Sequence, residues 1–160
     1  MIGTLGNTLL EWYRASLKNR HDALALRKGL AEELRQALNW TMANIDRCAD
    51  VPQGQSLLIP VNDKFPIYEM GISKIGLLKP KEIELTVRAY GMLQAEGEKL
   101  SAIARFHKNE IGIAYAIVNS EWGAALADAN RQVADALEEA IACLSGKVVR
   151  PAPAAFPAKS

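Results

Sequence analysis

Few residues in this chain have the types and spacing that chemistry requires. His107 and Glu110 form an i,i+3 pair that could donate two metal ligands from one helix face. A carboxylate-bridged dimetal bundle needs two Glu-x-x-His units and two further Glu. The chain has no Glu-x-x-His unit, so that site is excluded and His107 reads as a helix-end histidine. His21 sits among Lys18, Arg20 and Asp22 and reads as a surface residue. Cys48 and Cys143 form neither a C-x-x-C pair nor a disulfide framework. Isolated cysteines usually behave as small hydrophobes. Both fall near helix ends, and an up-down-up bundle would bring them, reduced, to one end of the molecule.

No G-x-S-x-G, P-loop or Rossmann glycine pattern occurs. Gly71, Gly76, Gly91 and Gly97 read as sites of close helix packing rather than as a phosphate cradle. The acidic pairs Glu32/Glu33, Glu82/Glu84 and Glu96/Glu98 read mostly as helix exteriors. Glu82 and Glu84 also complement the positive end of a helix dipole. Any of Arg35, Arg47, Arg88 and Arg105 that lies inside a bundle needs a carboxylate partner, because an unpaired buried charge is very costly. No catalytic residue, cofactor or metal is assigned.

The N-terminal segment carries the sharpest signal. Leu5, Leu9, Trp12, Tyr13 and Leu17 lie on a wide helical arc, with Arg14, Lys18 and Arg20 interleaved. Aromatics beside cations suit a lipid headgroup region. The same arc suits self-association or a partner's groove, or plain packing on its own bundle.

The elements that position these residues follow from composition and periodicity. The 160 residues are 49% hydrophobic, 23% charged and 6% aromatic, with a formal net charge of +1. That is one domain of ordinary composition with an aliphatic core. The near-neutral balance argues against nucleic acid as partner. Charge is uneven, however. Residues 1–30 hold five Lys/Arg against Glu11 and Asp22, a net of +3. Residues 120–145 hold Arg131 against five acids, a net of −4. No apolar run approaches the roughly 20 residues of a membrane span, and without a basic n-region leading into an apolar h-region no secretory signal is expected.

Apolar residues at helical spacing run from Leu5 through Leu9, Trp12, Leu17, Leu24, Leu30, Leu34, Leu38, Met42 and Ile45 to Ala49. Asp50 to Gly54 then stop a first helix of about 67 Å. Leu57–Val61 is short and interrupted by Pro60, which predicts a plug over the core rather than a strand. Pro66 opens a short helix and Gly76 caps it. Pro80 opens a third, with a stripe of Ile83, Val87, Tyr90, Leu93, Gly97 and Leu100. Residues 107–119 fit either an extended strap or a helical extension. The last helix runs from Ser120 to Gly146 over Trp122, Leu126, Val133, Leu137, Ile141 and Leu144.

Two stretches carry a family resemblance. One is LALRKGLAEELR, residues 24–35; the other is YEMGISKIGLLKPKEIELTVRAYGML, residues 68–93. Together, over roughly residues 20–145, they resemble small, mostly helical bacterial proteins without an assigned activity. In those proteins an N-terminal membrane helix precedes a basic turn and an antiparallel bundle. This chain departs from them over residues 1–17, which are too polar to span. The resemblance supplies no catalytic residue.

The expectation is an all-α, up-down-up antiparallel bundle with one long N-terminal helix, a short connecting helix and two further helices. Its parts are a projecting segment (residues 1–22), the bundle (23–146) and a mobile Pro/Ala tail (147–160). The expected function is that of a non-enzymatic interaction or scaffolding module, cytoplasmic, binding a second copy or another protein through Leu5, Leu9, Trp12, Tyr13, Arg14, Leu17, Lys18 and Arg20. A bundle held at an anionic membrane surface is the alternative, and a helical enzyme with an unmarked site the third.

Overall fold

A computed structural model of the chain describes residues 2–49, 51–52, 54–61, 64–108 and 114–147, with the backbone alone at 2–10, 61, 105–108 and 114–115. The described residues are mostly helical. Helix α1 spans Ile2–Ala49, 48 residues, or about 72 Å at 1.5 Å per residue. Helix α2 spans Pro66–Gly71 and runs into a 3-10 helix at Ile72–Leu77. Helices α3 (Pro80–Ile103) and α4 (Gly123–Leu144) complete the set. Apart from Lys147, the Pro/Ala tail expected at 147–160 lies outside the described residues.

Cross-helix pairs fix the directions. Arg27 meets Glu82 and Tyr90 meets Glu33, so α3 runs parallel to α1. Arg35 reaches Ser145, while Gly123 lies against the Cys48 carbonyl, so α4 runs antiparallel to α1. It follows that α4 is antiparallel to α3 as well, and the two are linked by the Arg88–Glu139 pair. The three long helices therefore run up, up and down in chain order, in place of the expected up-down-up path. The reason lies between α1 and α3, where the connection carries the chain back along the bundle before α3 begins.

That connection contains a strand, which corrects the plug expected at Leu57–Val61. Strand β1 (Ser56–Val61), β2 (Arg105–Lys108) and β3 (Ala114–Asn119) form an antiparallel sheet of order β1-β3-β2. The two alternatives for 107–119 resolve to extended chain at both ends, with Ile59 opposite Ala116 and His107 opposite Tyr115. Leu57 and Ile59 are buried while Leu58 is 57% exposed, the period-two alternation of a strand with one covered face. Pro60 is tolerated because β1 is an edge strand, where a missing N–H removes no ladder bond on the open side. The inner face, with Ala116 and Val118, packs on Cys48, Leu100, Leu126 and Ala127.

The main core lies between the three long helices and α2. It holds Leu26, Leu30, Leu34 and Ala37 of α1, Leu85, Ala89 and Tyr90 of α3, and Val133, Leu137, Ala140 and Leu144 of α4. Small residues decide which face of α1 turns inward. Beyond Leu34 the buried positions are Ala37, Thr41, Asn44 and Cys48. They sit one residue ahead of the larger Leu38, Ile45 and exposed Met42. A Cβ on Gly123 would stand 2.9 Å from the Cys48 carbonyl oxygen, so the α1–α4 approach depends on small side chains there. Helix α3 buries Tyr90 and Leu100 of its apolar stripe and packs Ile83 and Leu93 beside the core, but leaves Val87 out and turns a neighbouring row inward. Its inner face has Glu82, Leu85, Thr86, Ala89 and Tyr90, and Val87 is 46% exposed.

Candidate functional site

Three places in the fold have the makings of a site. The first is the N-terminal part of α1. Lys74, in the 3-10 helix, pairs with Asp22 at 3.5 Å, and Leu77 lies alongside Ala23 and Leu24. These contacts mark where the bundle ends along α1, and Ala23 is the first buried side chain described. Trp12 is 69% exposed, and Tyr13 and Leu17 are also exposed. Arg14, Lys18 and Arg20 are exposed beside them. Leu5 and Leu9 are on α1, and their side chains lie outside the described residues.

The exposed segment has a shaped face. Trp12, Ser16, Asn19, Ala23 and Leu77 line a groove along it. Arg20 and Arg27 are also in its walls. Trp12, Ser16, Asn19 and Ala23 are spaced by four, three and four residues, and the same register continues through Leu26 and Leu30, which are buried under the bundle. The groove is thus the bundle-facing side of α1, extended past the elements that cover it.

The second place is a buried carboxylate that sequence reading put on the exterior. Glu33, 7% exposed, accepts hydrogen bonds from Ile67 N (2.8 Å), Tyr68 N (3.0 Å) and Tyr90 Oη (2.6 Å). The two N–H groups belong to the first turn of α2, whose preceding residue, Phe65, has no side-chain cap of its own. Glu33 supplies that cap from α1, where a carboxylate also meets the positive helix end. Tyr90 stacks on Tyr68, with centroids 3.9 Å apart, and meets Phe65 edge-on at 5.3 Å. Burial, first, and the bond to Glu33 push its phenol well above the usual range. Nearer the start of α3, Glu82 accepts from Arg27 Nε (3.0 and 2.9 Å) and from Lys79 N (2.8 Å). The half-buried cation is therefore Arg27, outside the four arginines considered for burial, and its partner is a carboxylate expected only to complement a dipole. Both clusters tie α1 to the start of an element, which is a structural task.

The third place is a recess of about 60 Å3 between α1, α3, α4 and β1. Asn44, Thr41 and Trp40 line it from α1, Glu96 and Gly97 from α3, and Phe65 from the start of α2. Asn44 is 9% exposed, and among the described residues its Oδ1 has no hydrogen-bond partner; neither has Glu96 Oε1. Asn130, at the α4 side, donates instead to the Leu126 carbonyl at 2.8 Å. Burial pushes the Glu96 carboxyl up to about 7, against the opposing pull of Lys99.

The remaining sequence candidates are dispersed. His107 is on β2 rather than at a helix end, since the chain leaves α3 at Ala104. Glu110 lies outside the described residues. His21 is exposed on α1. Cys48 and Cys143 are both free, but the antiparallel α4 puts them at opposite ends: Gly123 adjoins Cys48, and Cys143 is twenty residues, about 30 Å, further along the helix. Burial is the main influence raising both thiols. Among the described residues no group of three or more His, Cys, Asp or Glu is placed to hold a metal ion. No described helix is long and apolar enough to cross a membrane. No family model, curated protein or solved structure matches the chain.

Proposed function

We propose that the chain is a non-enzymatic helical interaction module that self-associates through the N-terminal part of α1, residues 1–22, with the bundle as its support. The observation that carries this reading is the continuity of one face. Leu30, Leu26 and Ala23 are covered by the bundle, and the next positions in the same register, Asn19, Ser16 and Trp12, are open. Beside this face Trp12, Tyr13, Leu17 and Leu24 are exposed, and clustered exposed apolar side chains usually mark a contact. A second copy is the simplest occupant, because an isologous contact needs one patch matched to itself. An antiparallel pair centred between Ser16 and Asn19 sets Trp12 of each copy opposite Ala23 of the other. The small residues between them allow close helix approach, and Leu24 and Leu77 offer apolar walls for the indole.

A specific observation supports a second reading, association with an anionic membrane surface. Trp12 and Tyr13 are exposed beside Arg14, Lys18 and Arg20, the arrangement of an interfacial helix. Salt separates the two. A two-fold pair brings like cations together, so added salt leaves it intact or strengthens it, whereas lipid attraction weakens. The test is light scattering on the full chain and on a chain lacking residues 1–20, at low and high salt, beside pelleting with anionic vesicles. Twice the monomer mass for the full chain alone supports self-association. A monomer that pellets only at low salt supports the membrane reading. A monomer that does not pellet removes both.

A further inference from the structure

The recess beside Glu96 lies apart from the α1 groove and has both polar and apolar walls. It offers two sheltered acceptor oxygens, Asn44 Oδ1 and Glu96 Oε1, and neither has a donor among the described residues. Buried acceptors of this kind are nearly always satisfied, by protein or by ordered water, and a ligand with N–H donors would take that water's place. One of them belongs to a carboxylate for which no ion pair is formed among the described residues. The other walls are largely apolar: Trp40, Phe65, Leu93 and Leu100. A small cation with N–H donors and a short hydrocarbon stem matches both halves of that lining.

Gly97 lies on the wall of the same recess. It sits inside α3, where glycine is unfavourable relative to alanine. A Cβ built on it meets nothing within 4 Å. Packing therefore does not demand glycine at this position, and its missing side chain leaves the recess wide. Size limits the guest. An engineered apolar cavity of about 150 Å3 holds benzene, so 60 Å3 takes an ammonium and its first methylene groups. A longer stem would leave through the open side.

We propose that this recess binds the ammonium head of a small primary amine, with Glu96 and Asn44 as acceptors and Trp40 and Phe65 as walls. The ammonium donates to Glu96 Oε1 and Asn44 Oδ1, and its charge is met by the carboxylate. The electron-rich face of an aromatic wall adds a further attraction for a cation.

The probe is ethylammonium chloride, titrated into the full-length protein at pH 8, where the Glu96 carboxyl is ionised, and followed by NMR at the Trp40 indole and Asn44 amide. Three non-hydrogen atoms limit the affinity to about 1 mM at best. Saturable shifts at both groups are expected. Tetramethylammonium chloride at equal ionic strength, a cation without N–H donors, should give none. Glu96→Gln keeps the shape and should weaken binding roughly tenfold or more. Gly97→Leu favours the helix while filling the recess and should abolish binding; Gly91→Leu, on an exposed part of the same helix, should not. Shifts that do not saturate, equal responses to the two cations, or undiminished binding in Glu96→Gln or Gly97→Leu overturn the proposal. So does a crystal soaked in ethylammonium that shows water alone between Asn44 and Glu96.

Discussion

Removing the Glu33 carboxylate should loosen the start of α2 and the aromatic cluster together. The magnitude follows from its three donors. A hydrogen bond to a charged acceptor contributes about 1.5–3 kcal/mol, and a stranded buried donor costs about 1–3 kcal/mol. Tyr90→Phe takes away one donor and leaves the carboxylate served by Ile67 N and Tyr68 N, so its cost belongs at the low end, about 1.5–2 kcal/mol. Glu33→Ala strands the Tyr90 hydroxyl, on a side chain 1% exposed, and two N–H groups of half-buried residues. Its cost should be about 3–5 kcal/mol, or roughly 6–20 °C in midpoint for a chain of this size. The double variant should cost less than the sum, by about 1–2 kcal/mol, because with Tyr90→Phe in place no hydroxyl is left to strand. Urea unfolding followed by tryptophan fluorescence measures all three. A Tyr90→Phe cost within about 0.5 kcal/mol of zero, or strict additivity in the double variant, would refute the argument that Glu33 holds α2 through these bonds.

Other outcomes are expected. Glu96 has a native carboxyl raised to about 7 from 4.5, so the folded state holds its proton where the unfolded chain has lost it. Stability from this group is therefore present below pH 4.5, falls as pH rises to about 7 and is then level, by about 2 kcal/mol after allowing for partial exposure. Glu96→Gln should flatten that fall, becoming relatively more stable at pH 8 than at pH 5 in paired urea melts; a parallel pair of curves contradicts it. Leu34→Ala, at a site with 0% exposure, should cost about 3–5 kcal/mol, while Val87→Ala should cost under about 1 kcal/mol. Equal losses would mean that α3 turns its other face inward. Mild oxidation of dilute protein should leave Cys48 and Cys143 without an intramolecular disulfide, since a bridge needs Cα atoms within about 7 Å; mass mapping of such a bridge would overturn the antiparallel placement of α4.

Helices are legible in the sequence where proline and glycine punctuate strongly. Pro66 and Pro80 open their helices, and Gly146, at φ 71°, closes the last one. The sheet is not legible, because β1 shows only Leu57, Leu58 and Ile59 before Pro60, and the strand-former run Ala114–Asn119 is as apolar as a helix turn. Alternation becomes meaningful only once both cover the same end of the bundle. The inner faces of α1 and α3 keep part of the apolar stripes, Leu30 and Leu34 on one and Tyr90 and Leu100 on the other, and add small residues beside them. Side-chain size is a poor guide where helices approach closely: Ala37, Ala89 and Gly123 lie inward because the approach requires small residues, and larger neighbours flank them. Glu33 and Glu82 illustrate a further limit. A carboxylate next to another on a helix looks solvent-facing until the fold brings an uncapped helix start or an arginine to it. Arg27 is visible in the sequence as part of a basic turn, but nothing local points to Glu82, 55 residues away. Sequence reasoning also misses the groove residues Ser16, Asn19 and Ala23. Their signal is their place in the register of Leu26 and Leu30.

The proposed role as an interaction module turns on whether the open face of α1 meets a second copy of itself. Light scattering across a concentration series, on the wild type and on the full-length double variant Leu9→Glu and Trp12→Glu, decides this, with circular dichroism to confirm that the bundle stays folded. A dimer is expected for the wild type and a folded monomer for the variant. A wild type that stays monomeric at high concentration, or a variant that keeps the wild-type mass, would show that the face is not a self-association surface.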